Sequence, residues 1–276
     1  MCGRGCASCL VAILLISPAH AQSPTEMPKA PPCAVERGEA RAVAHVLDGE
    51  TLRLDDGRTM RLIGALAPRA GDVGAPAGTW PPENATRAEL AALAEGKTIT
   101  LWHEATRRDR YGHIVAQATI GTGAKTLWLQ GVLVSRGLAR AYGRPGMDAC
   151  TEGLVHLERQ AREGGSGLWA NAAYRVRAAD DGDELARAAG GFHVVSGTVN
   201  RVSRGQGEVF VSLARRSRGG SYAFAAVVPA RGAAFLGGIE PRALVDRRVV
   251  VRGWIEQRRG PVIVIDSKGQ LEALTE

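Results

Sequence analysis

The residues with the clearest chemical potential are basic side chains near short turns. Arg61 would suit bidentate contact with phosphate, because a planar guanidinium matches two phosphate oxygens. The same residue could equally be a strand-end arginine paired with a neighbouring carboxylate. His113 is a plausible acid or base, although a lone histidine after a turn is more often structural. Arg69 stays charged at accessible pH and cannot accept a proton. These residue types point to phosphate chemistry.

Alternating apolar residues and turn signals predict the elements that position these side chains. The predicted strands are residues 40–47, 51–54, 59–66, 98–105 and 113–120, and the predicted helices are 83–95, 126–136 and 151–163. Five strands mixed with short helices suit an OB-type barrel, although the spacing also permits other small α+β folds.

Four motifs in order along the chain resemble the staphylococcal-type thermonuclease family. They are DGETLRLDDGRTMRLIGALAPR at 48–69, DRYGH at 109–113, WLQGVLVSRGLAR at 128–140 and GLW at 167–169. The resemblance implies a mainly β fold with α elements (α+β), built as an OB-fold barrel with three helices. It also implies calcium-assisted attack of water on a phosphodiester of single-stranded DNA or RNA.

The metal site that the resemblance implies is only partly kept in this chain. Asp48 matches the first acidic position of the turn, and Glu50 takes the place of a metal-binding aspartate on a longer side chain. The second family aspartate falls at Leu66 and the neighbouring threonine at Ala67, so two oxygen donors are missing. Calcium takes about six to eight oxygen ligands. Asp48 and Glu50 therefore stay candidate ligands, with calcium binding expected to be impaired.

The catalytic positions implied by the resemblance are altered as well. Arg61 matches the first catalytic arginine, whereas His113 stands where the second belongs. The general-base glutamate is replaced by Arg69, which reverses the charge beside the expected metal. Since general-base help contributes about 10²–10⁴-fold to a rate, we expect a degenerate hydrolytic site.

The DRYGH turn supplies the substrate-binding residues that the resemblance implies. Asp109, Arg110 and Tyr111 would organise and contact the substrate phosphates, although Tyr111 could instead be a packed aromatic at the barrel edge. Asp72 and Glu83, in and after the loop that follows Arg69, are carboxylates that could rebuild a cation site.

The amino-terminal pattern predicts export. Residues 1–21 have a basic residue, a short apolar run and Ala-His-Ala, as in a cleaved signal peptide, with a retained anchor as the weaker alternative. Residues 22–37 are predicted to be a flexible leader. Cys33 and Cys150 then form an even pair, which predicts a disulfide in an oxidising compartment rather than two buried thiols. We expect a periplasmic or secreted protein with no transmembrane segment after residue 21.

The net charge and the carboxy-terminal third of the chain give weaker indications of function. The formal net charge of +7 favours polyanions, but the arginines are scattered along the chain. The predicted domains are 38–174 and 192–276, joined by a polar linker at 175–191. The second domain is predicted to be a small OB-like β-barrel, with strands at 192–202, 207–214, 222–229, 247–257 and 261–265. Its candidates for base stacking and phosphate contact are Phe210, Tyr222, Phe224, Trp254, Arg252, Arg258 and Arg259. Aromatic residues on alternating strands are more often core residues, and binding of protein or cell-wall polymer is the alternative for this domain.

Two functions follow from these observations. The first is an exported nuclease whose remodelled site uses Glu50, Arg61 and His113. The second is a catalytically silent module that binds nucleic acid or protein on the same scaffold. The missing donors and base favour the second on physical grounds, whereas the family resemblance favours the first.

Overall fold

The computed structural model describes residues 27–213, 224–236 and 238–274. The predicted signal peptide and Tyr222 lie outside these ranges. The strands of the first part are β1 Glu36–Val46, β2 Thr51–Leu54, β3 Thr59–Leu62, β4 Ala65–Leu66, β5 Thr98–His103, β6 Ile114–Ile120, β7 Leu127–Trp128 and β8 Arg140–Ala141. The helices there are α1 Pro81–Ala94, α2 Leu129–Ser135 and α3 Thr151–Glu163.

The first part is a closed barrel of β1, β2, β3, β6 and β5. Strand β1 pairs with both β2 and β5, and register shifts at Val43/His45 and Arg37/Ala40 let one long strand serve both neighbours. Parallel pairing of β3 with β6 closes the ring. Buried aliphatic residues from the barrel strands and the three helices fill one core. The OB-type fold and its three helices are confirmed.

The helix bounds follow from local chemistry. Helix α1 begins at Pro81, where a proline fits because the first helical N–H has no partner inside the helix. It ends just before Gly96, whose φ of +72° favours glycine. Helix α2 begins three residues later than predicted, because Leu127 and Trp128 pair with β6 as a short strand.

The second part is an eight-stranded sheet. Its elements are β9 Arg177–Ala178, α4 Gly182–Arg187, β10 Phe192–Thr198, β11 Arg201–Gly205, β12 Glu208–Ser212, β13 Ala225–Pro229, β14 Arg248–Gln257, β15 Pro261–Val264 and β16 Leu271–Ala273. The order is β11-β12-β13-β15-β14-β10-β9, with β16 also on β14. The predicted strand at 192–202 divides into β10 and β11, and β16 was not predicted.

The segments predicted to be leader and linker carry tertiary contacts. The Pro28 carbonyl accepts a hydrogen bond from the Trp128 N–H at 2.7 Å. The predicted Cys33–Cys150 disulfide is present, with its Cα atoms 5.0 Å apart. In the 175–191 segment, β9 pairs with β10, and Leu185 of α4 is buried in the second core. The exact domain boundaries stay a prediction.

The two parts meet across α3 and β14. Arg252 of β14 is fully buried and forms an ion pair with Glu158 of α3. Phe224 is also fully buried. Arg252 and Phe224 are therefore not part of a ligand-binding face, because both side chains are inaccessible, and Phe224 has the core role named as its alternative. Among the described residues, no helix is long and apolar enough to cross a membrane.

Candidate functional site

The turn between β1 and β2 carries two carboxylates at the edge of the barrel, Asp48 and the buried Glu50. The Asp48 carboxylate accepts a hydrogen bond from the Glu50 N–H at 2.8 Å, which fixes the turn. Gly49 lies so close to the segment after β4 that an added Cβ would approach the Ala67 Cβ to 2.7 Å. This close packing directs Glu50 inward, beneath the segment that carries Arg69.

Glu50 is the centre of the site. Its side chain is 1% exposed, and one carboxylate oxygen forms ion pairs with both Arg61 and Arg69. The other oxygen accepts a hydrogen bond from the Ala67 N–H at 3.2 Å. A buried carboxylate needs such partners to stay charged. The predicted site residues Glu50 and Arg61 are thus brought together, and Arg69 joins them.

Arg61 and Arg69 each have one side toward Glu50 and one toward solvent. Arg61 is at a register position opposite Thr51, so β3 carries it to the edge of the turn. Burial alone would lower the pKa of Arg61, but the Glu50 carboxylate outweighs this effect and raises it. The Arg61 and Arg69 side chains are 31% and 51% exposed. Both guanidinium groups therefore remain accessible to a ligand.

The loop that carries Arg69 is held by the two carboxylates predicted to rebuild a metal site. The Asp72 carboxylate accepts a hydrogen bond from the Arg69 N–H at 3.2 Å and pairs with Arg140 at 2.6 Å. The Glu83 carboxylate accepts one from the Ala70 N–H at 2.7 Å. Asp72 and Glu83 therefore position the Arg69 loop instead of extending a cation site around Glu50.

The donors around Glu50 do not fit a calcium ion. The turn carries two carboxylates, Asp48 and Glu50. The Glu50 carboxylate is already bound by two guanidinium groups and a backbone N–H. Leu66 and Ala67 offer no side-chain oxygen. In the described ranges, no group of three or more histidine, cysteine, aspartate or glutamate side chains could hold a metal ion. Two adjacent cationic groups would also oppose a divalent ion at this point.

The DRYGH turn lies beside the same edge of the barrel. Asp109 accepts hydrogen bonds from the Tyr111 N–H at 2.9 Å and the His113 N–H at 3.0 Å, and the His113 Nδ1 lies 3.0 Å from its carboxylate. Burial would raise the pKa of Asp109, but these contacts outweigh it and lower the pKa. Tyr111 is 65% exposed, with the Arg110 guanidinium 4.8 Å from its ring centre. Tyr111 is therefore not a packed barrel residue.

Strand register relates this turn to Arg61. Met60 of β3 lies opposite Ile114 of β6, and His113 immediately precedes that position. Since side chains alternate along a strand, His113 falls on the sheet face that carries Arg61. His113 and Arg61 are thus both on the outer face of the barrel, since Met60 and Ile114 face the core.

Sequence reasoning missed Tyr142, which follows β8 and is close enough to the same cluster to interact with it electrostatically. Burial and the Glu50 charge raise the pKa of this half-buried tyrosine to about 12. The edge of Trp254, from the second part of the chain, packs against Tyr142 with ring centres 6.2 Å apart. No spacing pattern connects residue 142 with residue 50, because the pairing of Ala141 with Ala65 brings them together.

One stretch of the chain, which covers most of the barrel and its helices, matches a known protein family. Residues 59–171 match the family model described as staphylococcal nuclease homologue. The match begins at β3 and includes Arg61, Arg69 and the DRYGH turn, so the resemblance drawn from the sequence motifs is confirmed. Such a match indicates nuclease-type activity. No match was found among curated proteins.

Proposed function

We propose, because residues 59–171 form a domain of the staphylococcal nuclease homologue family, that this protein is an exported nucleic-acid-binding member of that family. In this proposal Arg61 and Arg69 bind backbone phosphates, and the calcium-dependent hydrolytic site has degenerated. The expected substrate class is single-stranded DNA or RNA, as in the family resemblance.

One observation carries the proposal, namely that both guanidinium groups share the Glu50 carboxylate. Arg61 and Arg69 therefore already neutralise Glu50, which is the buried carboxylate of the turn between β1 and β2. Two unit charges about 4 Å apart interact by roughly 4 kcal/mol at an effective dielectric near 20. A divalent cation carries two charges, so each arginine would repel it about twice as strongly, whereas each would attract a phosphate.

The exposed side of the cluster has the chemistry for phosphate contact. A guanidinium carries five N–H donors, and Glu50 engages only part of each set. Glu50 also restrains the two side chains, so less conformational entropy is lost when a ligand binds. Tyr111 offers an exposed ring on the adjacent turn, where a base could stack. Phosphate and base contacts together describe a single-stranded ligand.

The groups that usually catalyse efficient hydrolysis are missing from this site. Arg69 replaces the expected base, and a missing general base costs about 10²–10⁴-fold in rate. The calcium donors are incomplete as well. We therefore expect hydrolysis to be slow in comparison with binding.

A second candidate function is slow, metal-independent phosphodiester hydrolysis at the Asp109–His113 pair. The contact at 3.0 Å orients the imidazole. His113 would take a proton from water as the water oxygen forms a bond to phosphorus. The bond from phosphorus to the leaving oxygen would then break, and that oxygen would take a proton from solvent. This candidate predicts cleavage that persists with a chelator and is lost in His113→Ala.

Export is part of the proposal and is supported by the disulfide. Disulfides form and persist in oxidising compartments. The Cys33–Cys150 bond joins the segment before β1 to the residue before α3. Together with the signal-like sequence at 1–21, it favours a periplasmic or secreted location.

The proposed function is tested by measuring binding and cleavage on the same purified protein. Fluorescence anisotropy of a labelled oligothymidylate should show binding that weakens with salt, both with calcium and with chelator. Arg61→Ala should weaken binding, whereas the matched control Arg87→Ala, an exposed arginine on α1, should not. Gel analysis should show little cleavage. Rapid calcium-dependent cleavage, lost in Arg61→Ala, would instead establish a working nuclease.

A further inference from the structure

The second part of the chain contains a pocket that the proposed function does not use. It has a volume of about 380 Å³, within the usual range for small-ligand sites of roughly 300–1,000 Å³. Strands β11, β12, β13 and β15 form its base, and the hairpin between β14 and β15 forms one wall. The lining includes Arg204, Phe210, Arg258 and Arg259.

The floor of the pocket is an apolar patch on the outer face of the sheet. Val211 faces the main core, so its neighbour Phe210 lies on the opposite face. There Phe210 packs against a small separate cluster of Ala225, Val227 and Val262. Strand register places Phe210 opposite Val227, and Ala225 opposite Val262. The floor is therefore continuous across three strands, with one aromatic ring.

The rim of the pocket is cationic. Three arginines and one glutamate line it. Arg258 is neutralised, because it pairs with Glu208 at 3.2 Å and with Glu256 at 3.3 Å. Arg204 makes only a 3.5 Å contact with the exposed Glu240. Arg259 makes no ion pair with any residue in the described ranges. The rim thus keeps positive charge that an anionic ligand could neutralise.

We propose that this pocket binds one nucleotide unit of a single-stranded nucleic acid. The base would stack on Phe210, and the phosphates would contact Arg204 and Arg259. An aromatic floor with a cationic rim matches the planar apolar base and the anionic backbone of such a strand. An acidic peptide would match the rim but not the flat aromatic floor. The inference goes beyond the proposed function, because the site lies in a different part of the chain from Arg61 and Arg69.

The charge contribution is tested by Arg259→Glu in the full chain. The matched control is Arg247→Glu, an exposed arginine in the same part of the chain that does not line the pocket. We expect Arg259→Glu to raise the Kd for labelled oligothymidylate at least about fivefold, since a phosphate contact becomes repulsive. Arg247→Glu should change it much less. Equal losses in both variants would overturn the proposal, because they would reflect net charge alone.

The stacking contribution is tested with Phe210→Leu, which keeps the floor apolar but removes the ring. We expect about a tenfold loss of affinity for oligothymidylate, and no loss for an abasic oligonucleotide of equal length. Equal effects on both ligands would overturn the assignment of a base to Phe210. Polyglutamate competing as well as oligothymidylate would assign an acidic peptide instead, and free thymidine monophosphate competing equally would assign a mononucleotide.

Both variants are also made in an Arg61→Ala/Arg69→Ala background. If the pocket is a separate site, Arg259→Glu weakens the remaining binding by a similar factor there. If the proposed phosphate site fails and the pocket is correct, the background change has no effect while Arg259→Glu still does. If Arg259→Glu has no effect in either background, the pocket proposal is wrong and the Arg61 and Arg69 site is unaffected by that result.

Discussion

Two clusters of arginine and glutamate differ in how far solvent reaches them. In the first, the open cluster, a buried Glu50 pairs with Arg61 and Arg69, whose side chains are 31% and 51% exposed. In the second, the closed cluster, Glu158 and Arg252 are both fully buried. The same residue types therefore form a surface that a ligand could reach in the open cluster. In the closed cluster they form a buried ion pair that joins the two parts of the chain.

The closed cluster has no free side for a ligand. Glu272 of β16 contacts Arg252 at 3.2 Å and also pairs with Arg159 of α3. Arg162 lies 3.6 Å from Glu158, and burial lowers its pKa. The second Glu158 oxygen accepts a hydrogen bond from the Ala141 N–H at 2.6 Å. Exposure of the guanidinium groups, rather than their number, thus distinguishes a cluster that a ligand could reach from one that is enclosed.

The largest effect is expected from breaking the closed cluster with Arg252→Met. This change leaves Glu158 buried without its closest partner, and loss of one member of a buried pair costs about 3–5 kcal/mol. Urea unfolding should show that decrease in the free energy of unfolding. Arg247→Met, at an exposed site, is the control and should change it by less than about 0.5 kcal/mol. A similarly small decrease in Arg252→Met and Arg247→Met would mean that the closed cluster does not hold the two parts of the chain together.

A smaller effect should follow from converting the open cluster into a cation site. Leu66→Asp with Arg69→Glu restores two carboxylates beside Glu50 and removes one opposing charge. Calcium at 100 times its Kd would then raise the free energy of unfolding by about 2.7 kcal/mol. The parent protein and Arg69→Glu alone serve as controls. Equal calcium stabilisation of the parent would mean that the unaltered site already binds calcium.

Acidic pH should weaken the region next to the closed cluster. Burial, followed by Arg177 and Arg140, lowers the pKa of His193 to about 4, below its ordinary 6.5. Between these values the unfolded chain binds a proton that the folded chain does not. Stability is therefore retained above pH 6.5 and falls as the pH drops towards 4, with a slope approaching about 1.4 kcal/mol per pH unit. His193→Asn should show a shallower slope in urea unfolding from pH 7 to 5.

The smallest expected effect is on the salt dependence of nucleic-acid binding, which should differ between variants of the two clusters. Each phosphate-binding arginine lost should reduce the slope of log Kd against log salt by about 1. Arg61→Ala and Arg69→Ala should each show this reduction between about 50 and 200 mM salt. Arg252→Met, assayed where it stays folded, should keep the parent slope. A reduced slope in Arg252→Met would mean that the closed cluster also takes part in binding.

Much of the barrel was predictable because its signals are local. Turns at Asp48-Gly49 and Asp56-Gly57 flank alternating strands, and Gly96 marks a helix end. In the second part, local signals were weaker. The predicted strand at 192–202 divides, since β10 pairs with β14 whereas β11 pairs with β12, and Val199 and Asn200 between them belong to neither strand. The short β16 has too few residues to show a period.

The candidate site was predictable only in part. Glu50 and Arg61 were identified from one motif, and the tertiary structure brings them into contact. Arg69 was identified as a lost base, but its pairing with Glu50 depends on the packing of Gly49 against Ala67. Tyr142 carried no signal, because its relation to the site depends on long-range strand pairing.

The barrel, the cysteine pair and the loss of carboxylates at Leu66 and Arg69 could be predicted from the amino-acid sequence, because they depend on residue identity and short-range pattern. Which arginines pair with which carboxylates, and which stay exposed, depends on how distant segments pack together. Arg61 and Arg252 are equally charged in the sequence. Burial of one between two packed elements and exposure of the other at a barrel edge give them different roles, since desolvation and access to a ligand depend on the whole fold.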